Sequence, residues 1–186
     1  MKAVFATVTV FTLFVLIAVL FISQNAYAES DVIELPNCSL KYSVETTADK
    51  STIWRLWTDV SNWNKFDTLL EYSYLNGNAD FVVGSTGYLK AKGAPKTKFE
   101  LVEINEGVSF IESLKIPLWQ TIELQRYFET DQNGNTVFTH EVNFKGPLRY
   151  LMYSILKRTF KKELKLVMGR LKNVAEEEGA LQKQSN

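Results

Sequence analysis

Two side chains have the clearest claim on chemistry, Arg126 and His140. His140 is the only histidine of the chain, and imidazole is the group best suited to move a proton near neutral pH. Arg126 carries a charge it cannot shed, so inside a protein it must meet a carboxylate, a ligand anion, a carbonyl or water. Both lie in segments where apolar and polar residues alternate, joined by Asp131-Gln132-Asn133-Gly134. That tetrapeptide fits a type I turn closed by Gly134 in the left-handed conformation, which pairs Asp131 with Asn135. Counting back, Phe128 faces Phe138, Arg126 faces His140, Leu124 faces Val142 and Ile122 faces Phe144. Tyr127–Thr139, Gln125–Glu141 and Glu123–Asn143 take the other side. A slip of one residue would mix the two faces, so the pattern selects this register. Arg126 and His140 are therefore expected to point inward with Leu124, Phe128, Phe138 and Val142, as the polar end of an apolar pocket. Phe110, Met152 and Leu156 complete its expected lining.

Other chemistries find little support. Glu100 and Glu112 would face one another if Ile104 pairs with Val108, and two inward carboxylates can share a proton. Cys38 is the single cysteine, so no internal disulfide forms and no zinc site of His/Cys spacing exists. No Ser-His-acid arrangement or phosphate-binding Gly-rich loop is present. No catalytic residue, metal or cofactor is assigned. Trp54, Trp57 and Trp63 either stack on a ligand or anchor short helices to a sheet. Asp59 reads as the cap of the segment that follows it.

The elements that must position these residues follow from periodicity. Leu40–Thr46 alternates as a strand. Ala48–Asp59 spaces Ile53, Trp54, Leu56 and Trp57 helically, with Thr47 or Asp49 as cap, and Val60–Phe66 is a second short helix or turn. Strands follow at Leu69–Leu75, around Tyr88–Ala91 between Gly84 and Gly87, and at Thr97–Ile104, Val108–Lys115, Trp119–Thr130 and Asn135–Phe144. Asn76-Gly77-Asn78, Lys92–Lys96 and Asn105-Glu106-Gly107 are their turns. Short turns imply an antiparallel sheet. One helix from Gly146 to Glu178 ends the domain, with Pro147 in its first turn and Gly179 as its stop. Leu148, Met152, Leu156, Phe160, Leu164, Val167, Leu171 and Val174 make its apolar stripe, which needs the sheet as partner.

The 186 residues are 46% hydrophobic and formally neutral, which suits one well-filled domain and gives no pull toward nucleic acid. Residues 1–28 stand apart. Lys2 is the only charge before Glu29, and an apolar run ends in Ala26-Tyr27-Ala28. This reads as a secretory signal peptide cut after Ala28, the alternative being an uncleaved membrane anchor. Residues 29–38 read as a linker, 39–178 as the domain and 179–186 as a polar tail. The domain is expected outside the cytoplasm, periplasmic or secreted. Lys157, Arg158, Lys161, Lys162, Lys165, Arg170 and Lys172 make the final helix basic beside an apolar start at Leu148–Leu156. That combination suggests a cavity rim or weak contact with anionic membrane.

Taken together, Ala48-x4-Ile53-Trp54-x4-Asp59-Val60-x2-Trp63, then Gly84-x2-Gly87, Phe144-Lys-Gly-Pro-Leu148 and the Leu164–Ala175 tail carry a resemblance. The chain resembles the SRPBCC superfamily (START, Bet v 1 and polyketide cyclase relatives), and most closely its polyketide cyclase/dehydrase and lipid transport branch. The resemblance spans residues 39–178. It implies an α+β helix-grip fold, a curved antiparallel sheet of about six to seven strands around the C-terminal helix. It also implies an apolar cavity between them for a lipid or other hydrophobic molecule. The expected function is an exported binding protein for such a molecule. The alternatives are a cyclase- or dehydratase-like enzyme using His140 as base, and an interaction domain whose interior is filled.

Overall fold

The computed structural model describes residues 32–130 and 136–184, without the side chains of Asn78 and of residues 182–184. Residues 1–28, read as signal or anchor, and the Asp131–Gly134 turn lie outside the described residues. Among the described residues no helix is long and apolar enough to cross a membrane.

Eight described strands form one antiparallel sheet in the order β1-β2-β8-β7-β6-β5-β4-β3. They are β1 (Ile33–Leu35), β2 (Ser39–Glu45), β3 (Leu70–Leu75), β4 (Thr86–Ala91), β5 (Thr97–Asn105), β6 (Ser109–Ile116), β7 (Gln120–Thr130) and β8 (Thr136–Lys145). The order is a meander from β3 to β8, after which β2 and β1 extend the far edge. Helix α1 (Lys50–Thr58) and a 3₁₀ segment (Val60–Lys65) bridge β2 to β3. Helix α2 (Arg149–Gln184) closes the chain and packs on β2, β8 and α1. This is the expected α+β helix-grip architecture.

The β7–β8 register is the one read from the alternation, with Phe128↔Phe138, Arg126↔His140 and Leu124↔Val142. Several other boundaries differ. The stretch read as a linker carries β1, where Ile33 pairs with Lys41 and Leu35 with Ser39. Gly87 lies inside β4 rather than beside it. A Cβ there would sit 2.4 Å from the Phe99 ring and the Tyr74 carbonyl, so only glycine admits this strand crossing. Strand β7 starts at Gln120, because Leu118 and Trp119 are both left-handed, at φ 63° and 56°. Such a conformation costs a non-glycine residue of order 1 kcal/mol.

Helix α2 runs through Gly179, which does not stop it. Arg55 pairs with Glu178, and Glu176 accepts from Thr46 Oγ1 at 3.1 Å and the Thr47 N–H at 3.0 Å. These tertiary contacts hold the last turns against the roughly 1 kcal/mol penalty of glycine. The buried stripe starts at Met152, not Leu148, which is 37% exposed, and it uses Met168 and Ala175 where Val167 and Val174 were expected.

Trp57 and Trp63 are anchors. Trp57 is buried among Phe110, Phe128 and Phe138, with ring centroids 6.0, 4.9 and 6.1 Å away. Trp63 packs on Phe99 at 5.7 Å and donates its ring N–H to the Trp57 carbonyl at 2.9 Å. Asp59 precedes the 3₁₀ segment without a side-chain bond to its backbone, and instead accepts from Ser61 Oγ and Asn62 Nδ2.

Candidate functional site

Alternation along β6, β7 and β8 turns Phe110, Glu112, Arg126, His140 and Val142 to the covered face, where all are buried. Phe110 pairs with Arg126, Arg126 with His140 and His140 with Tyr42, one row across four strands. Glu112 stands in the next row, between Leu101 and Leu124.

Glu112 is wholly buried, and Arg126 Nη2 lies 3.1 Å from its Oε1. This is a close ion pair without hydrogen-bond alignment. Both Glu112 oxygens, Arg126 Nη1 and His140 Nε2 have no hydrogen-bond partner among the described residues. The Arg126 guanidinium is flanked by the Trp63 ring at 4.9 Å and the Phe110 ring at 5.2 Å. These rings shield it from water and leave its remaining donor directed into the interior.

Electrostatics follow from burial. Desolvation raises the Glu112 carboxyl, and Arg126 partly counters it. Desolvation and the Arg126 charge hold His140 well below its ordinary range, so it is neutral near pH 7. Two further carboxyls are raised by burial. Asp67, just after the 3₁₀ segment, is raised although it accepts the Leu69 N–H at 3.1 Å and Arg126 attracts it. Glu163 on α2 is pushed up to about 7 by burial and by Asp67. The inner face thus holds a hard-to-ionise Glu112, one fixed cation and one neutral imidazole, with Asp67 near enough to feel the Arg126 charge.

The expected site residues divide into two groups. Arg126 and His140 come together with Leu124 at the polar row. Phe110, Phe128 and Phe138 close around Trp57, while Met152 and Leu156 are buried along α2. The expected Glu100–Glu112 pair does not form. The turn pairs Asn105 with Ser109 and Ile104 with Phe110, and a bulge between Leu101 and Glu103 then sets Glu100 against Ser113. Glu100 instead reaches Lys115 at 3.3 Å. Asp67, Glu163 and the stacking role of Trp63 were not anticipated. Glu163 had a signal, since it sits one helical step from both Phe160 and Val167 on the apolar stripe.

An open depression of about 620 Å³ lies on the opposite face, lined by Ser39, Glu141, Asn143 and Lys145 with the Leu35–Asn37 loop. It is open, with a mixed lining, and it shares no residue with the inner row. Among the described residues no group of His, Cys, Asp and Glu is placed to hold a metal.

No family model and no curated protein matches the chain. Solved structures do match. The di-domain ARO/CYC StfQ from the steffimycin biosynthetic pathway aligns with a TM-score of 0.60 and 11% identity, over 77% of this chain and 52% of StfQ. DynU16, from the dynemicin biosynthetic locus, aligns at 0.56 and 12%, over 74% of this chain and 47% of its own. A protein from Nitrosomonas europaea aligns at 0.58 and 14%, over 79% of this chain and 99% of its own. At these identities the likeness is one of fold.

Proposed function

We propose that this protein binds an apolar small molecule or lipid between the inner face of the sheet and α2. The observation that carries this reading is the set of four buried polar atoms without hydrogen-bond partners among the described residues, on Glu112, Arg126 and His140. Buried polar groups are nearly always satisfied, and leaving one unpaired costs about 1–3 kcal/mol. A polar group on a bound molecule would satisfy several at once. The charges constrain that group. Arg126 already faces Glu112, so a free carboxylate would meet repulsion. A hydroxyl can donate to Glu112 and accept from Arg126 Nη1, and a carbonyl can accept from Nη1. The rest of the molecule gains about 0.8 kcal/mol per buried CH₂. That the fold also serves an ARO/CYC of a biosynthetic pathway agrees with an apolar guest.

The test is native mass spectrometry of protein purified from its own host, with solvent extraction, beside a Glu112→Leu/Arg126→Met variant. An extractable uncharged molecule, lost in the variant while the fold survives, is the expected result. A protein that carries and takes up no apolar molecule would mean that its interior is filled by Trp57 and its partners, and the reading would fail.

One observation favours catalysis as a second reading. His140 is neutral, and its buried Nε2 is unpaired, so the imidazole is in the form that can accept a proton, although burial and Arg126 weaken it as a base. In that case His140→Gln would keep affinity for the guest but abolish its turnover. We also read the chain as exported. The support is the apolar run ending in Ala26-Tyr27-Ala28. Intact mass of the exported protein should begin at Glu29, and residues 1–28 retained in a membrane fraction would mean an anchor.

A further inference from the structure

One end of the molecule carries apolar side chains that the fold does not use. Trp119 is 88% exposed, Tyr150 61%, Leu151 49% and Leu148 37%. The first lies in the β6–β7 turn and the others at the start of α2. Gln120, itself buried, ties the two together. Its Nε2 donates to the Leu118 carbonyl at 2.8 Å, and its Oε1 accepts the Leu148 N–H at 3.2 Å. A Cβ on Gly146 would lie 2.7 Å from the Trp119 carbonyl, so turn and helix start are in direct contact. The turn is an expensive one, with two successive left-handed non-glycine residues, and its result is to hold an indole out in water.

We propose that this tip is a docking surface for an anionic lipid bilayer. Trp and Tyr with Leu are the side chains that settle at the boundary between headgroups and acyl chains. The charges beside them have the sign required. Arg149 contacts only the Tyr150 ring and hydroxyl, and Arg158 has no carboxylate partner among the described residues. Leu151, Ser154 and Arg158 share the exposed face of α2. Arg158 stands seven residues beyond Leu151, about 10 Å along the helix axis. A tip immersed by roughly 5–10 Å would therefore bring Arg158 to the phosphate layer. The wider basic run contributes less than the sequence suggests, because Lys157 and Lys161 face Glu34 at 3.3 and 2.8 Å. A second protein is the poorer occupant. An aromatic side chain supplies only about 150–250 Å², so this small tip falls short of the roughly 800 Å² per partner of a stable interface. This inference is independent of the ligand reading and stands or falls without it.

The test uses the full chain with phosphatidylcholine vesicles, with and without phosphatidylglycerol and with brominated acyl chains. Because an apolar leader would itself bind lipid, the readout must be local to the tip. It is the fluorescence of Trp119, identified by difference from Trp119→Ala. Brominated vesicles containing phosphatidylglycerol should quench this component about twofold and shift it to the blue, and high salt should reverse both. Leu148→Ser/Leu151→Ser should abolish the quenching, and Arg149→Gln/Arg158→Gln should remove its dependence on phosphatidylglycerol. Trp119 emission that ignores brominated lipid overturns the proposal, as does quenching that ignores both salt and phosphatidylglycerol. A blue shift that appears without lipid and grows with protein concentration also overturns it, in favour of a second copy. The wild-type titration needs no variant, so a substitution that fails to fold leaves the test intact.

Discussion

Two clusters of charge hold opposite positions in this molecule. At the sheet edge, Glu34 of β1 accepts from Tyr153 Oη at 2.6 Å, Lys161 Nζ at 2.8 Å and Lys157 Nζ at 3.3 Å. Its carboxylate is well served, and its pKa falls to about 2. On the inner face, Glu112 meets Arg126 without hydrogen-bond alignment, and four buried atoms of Glu112, Arg126 and His140 have no hydrogen-bond partner among the described residues. The first cluster is a clasp, fastening β1 to α2. The second has the form of a clasp without its bonds. A pair kept only for stability would gain from alignment or from replacement by apolar residues. The inner pair is therefore the part of the proposed binding site that stability alone does not explain.

The largest effect should come from splitting the inner pair. Glu112→Ala leaves the Arg126 charge buried, and loss of one partner from a buried pair costs about 3–5 kcal/mol. Asp67 also attracts Arg126, which places the expectation at the lower end. Removing both, as Glu112→Leu/Arg126→Met, should be neutral or stabilising by up to roughly 4 kcal/mol. Urea denaturation of both variants decides it. A double variant as damaged as Glu112→Ala would show that the pair itself supports the fold, and the contrast with Glu34 would collapse.

A smaller effect of opposite sign is expected at Glu163. Its folded-state pKa is about 7 against an ordinary 4.5, so the folded protein holds this proton more tightly than the unfolded chain. Stability from this group is therefore full below pH 4.5, falls as pH rises toward 7 and stays low above it. Glu163→Gln should raise stability at pH 8 by of order 1 kcal/mol after solvent screening, and change little at pH 4. Stability profiles from pH 4 to 8 for both proteins would show this. Parallel profiles would mean that Glu163 ionises freely.

What was legible in the sequence depended on how cleanly each stretch alternates. Strands β7 and β8 keep polar and apolar residues on separate faces along their length, and only one register satisfies both. That alone placed Arg126 opposite His140. Strands β5 and β6 alternate poorly, and their turn pairs Ile104 with Phe110 rather than with Val108, so the Glu100–Glu112 pairing was misread. The three residues of β1 are too few to show a period. The stop at Gly179 was plausible locally, and it is overridden by Glu176 and Glu178, which reach residues far away in the chain. The exposed Trp119 was hidden for a related reason. Leu118 and Trp119 are left-handed without a glycine to announce it, so the stretch read as the start of a strand. Asp67 and Glu163 lie far apart in the chain and come near one another only after folding.

The smallest effect belongs to the outer cluster, and its sign is the reverse of that at Glu163. Glu34 has its pKa lowered to about 2 from 4.5, chiefly by the Lys161 and Tyr153 hydrogen bonds. The folded protein thus releases this proton more readily than the unfolded chain. The contribution is present above pH 4.5 and disappears as pH falls toward 2. Its size is limited by water, since the Glu34 side chain is 40% exposed, and exposed pairs are worth about 0–1 kcal/mol. Glu34→Gln should therefore cost no more than roughly 1 kcal/mol at pH 7. The loss should shrink in 1 M salt, where screening acts over about 3 Å. At pH 2 the variant and the parent should converge. The inner pair should not respond to salt, because Glu112 is sealed from solvent. If Glu34→Gln costs as much as Glu112→Ala, or if salt weakens the inner pair as well, the clusters do not differ in kind. The case for Glu112 and Arg126 as a recognition site would then lose its control.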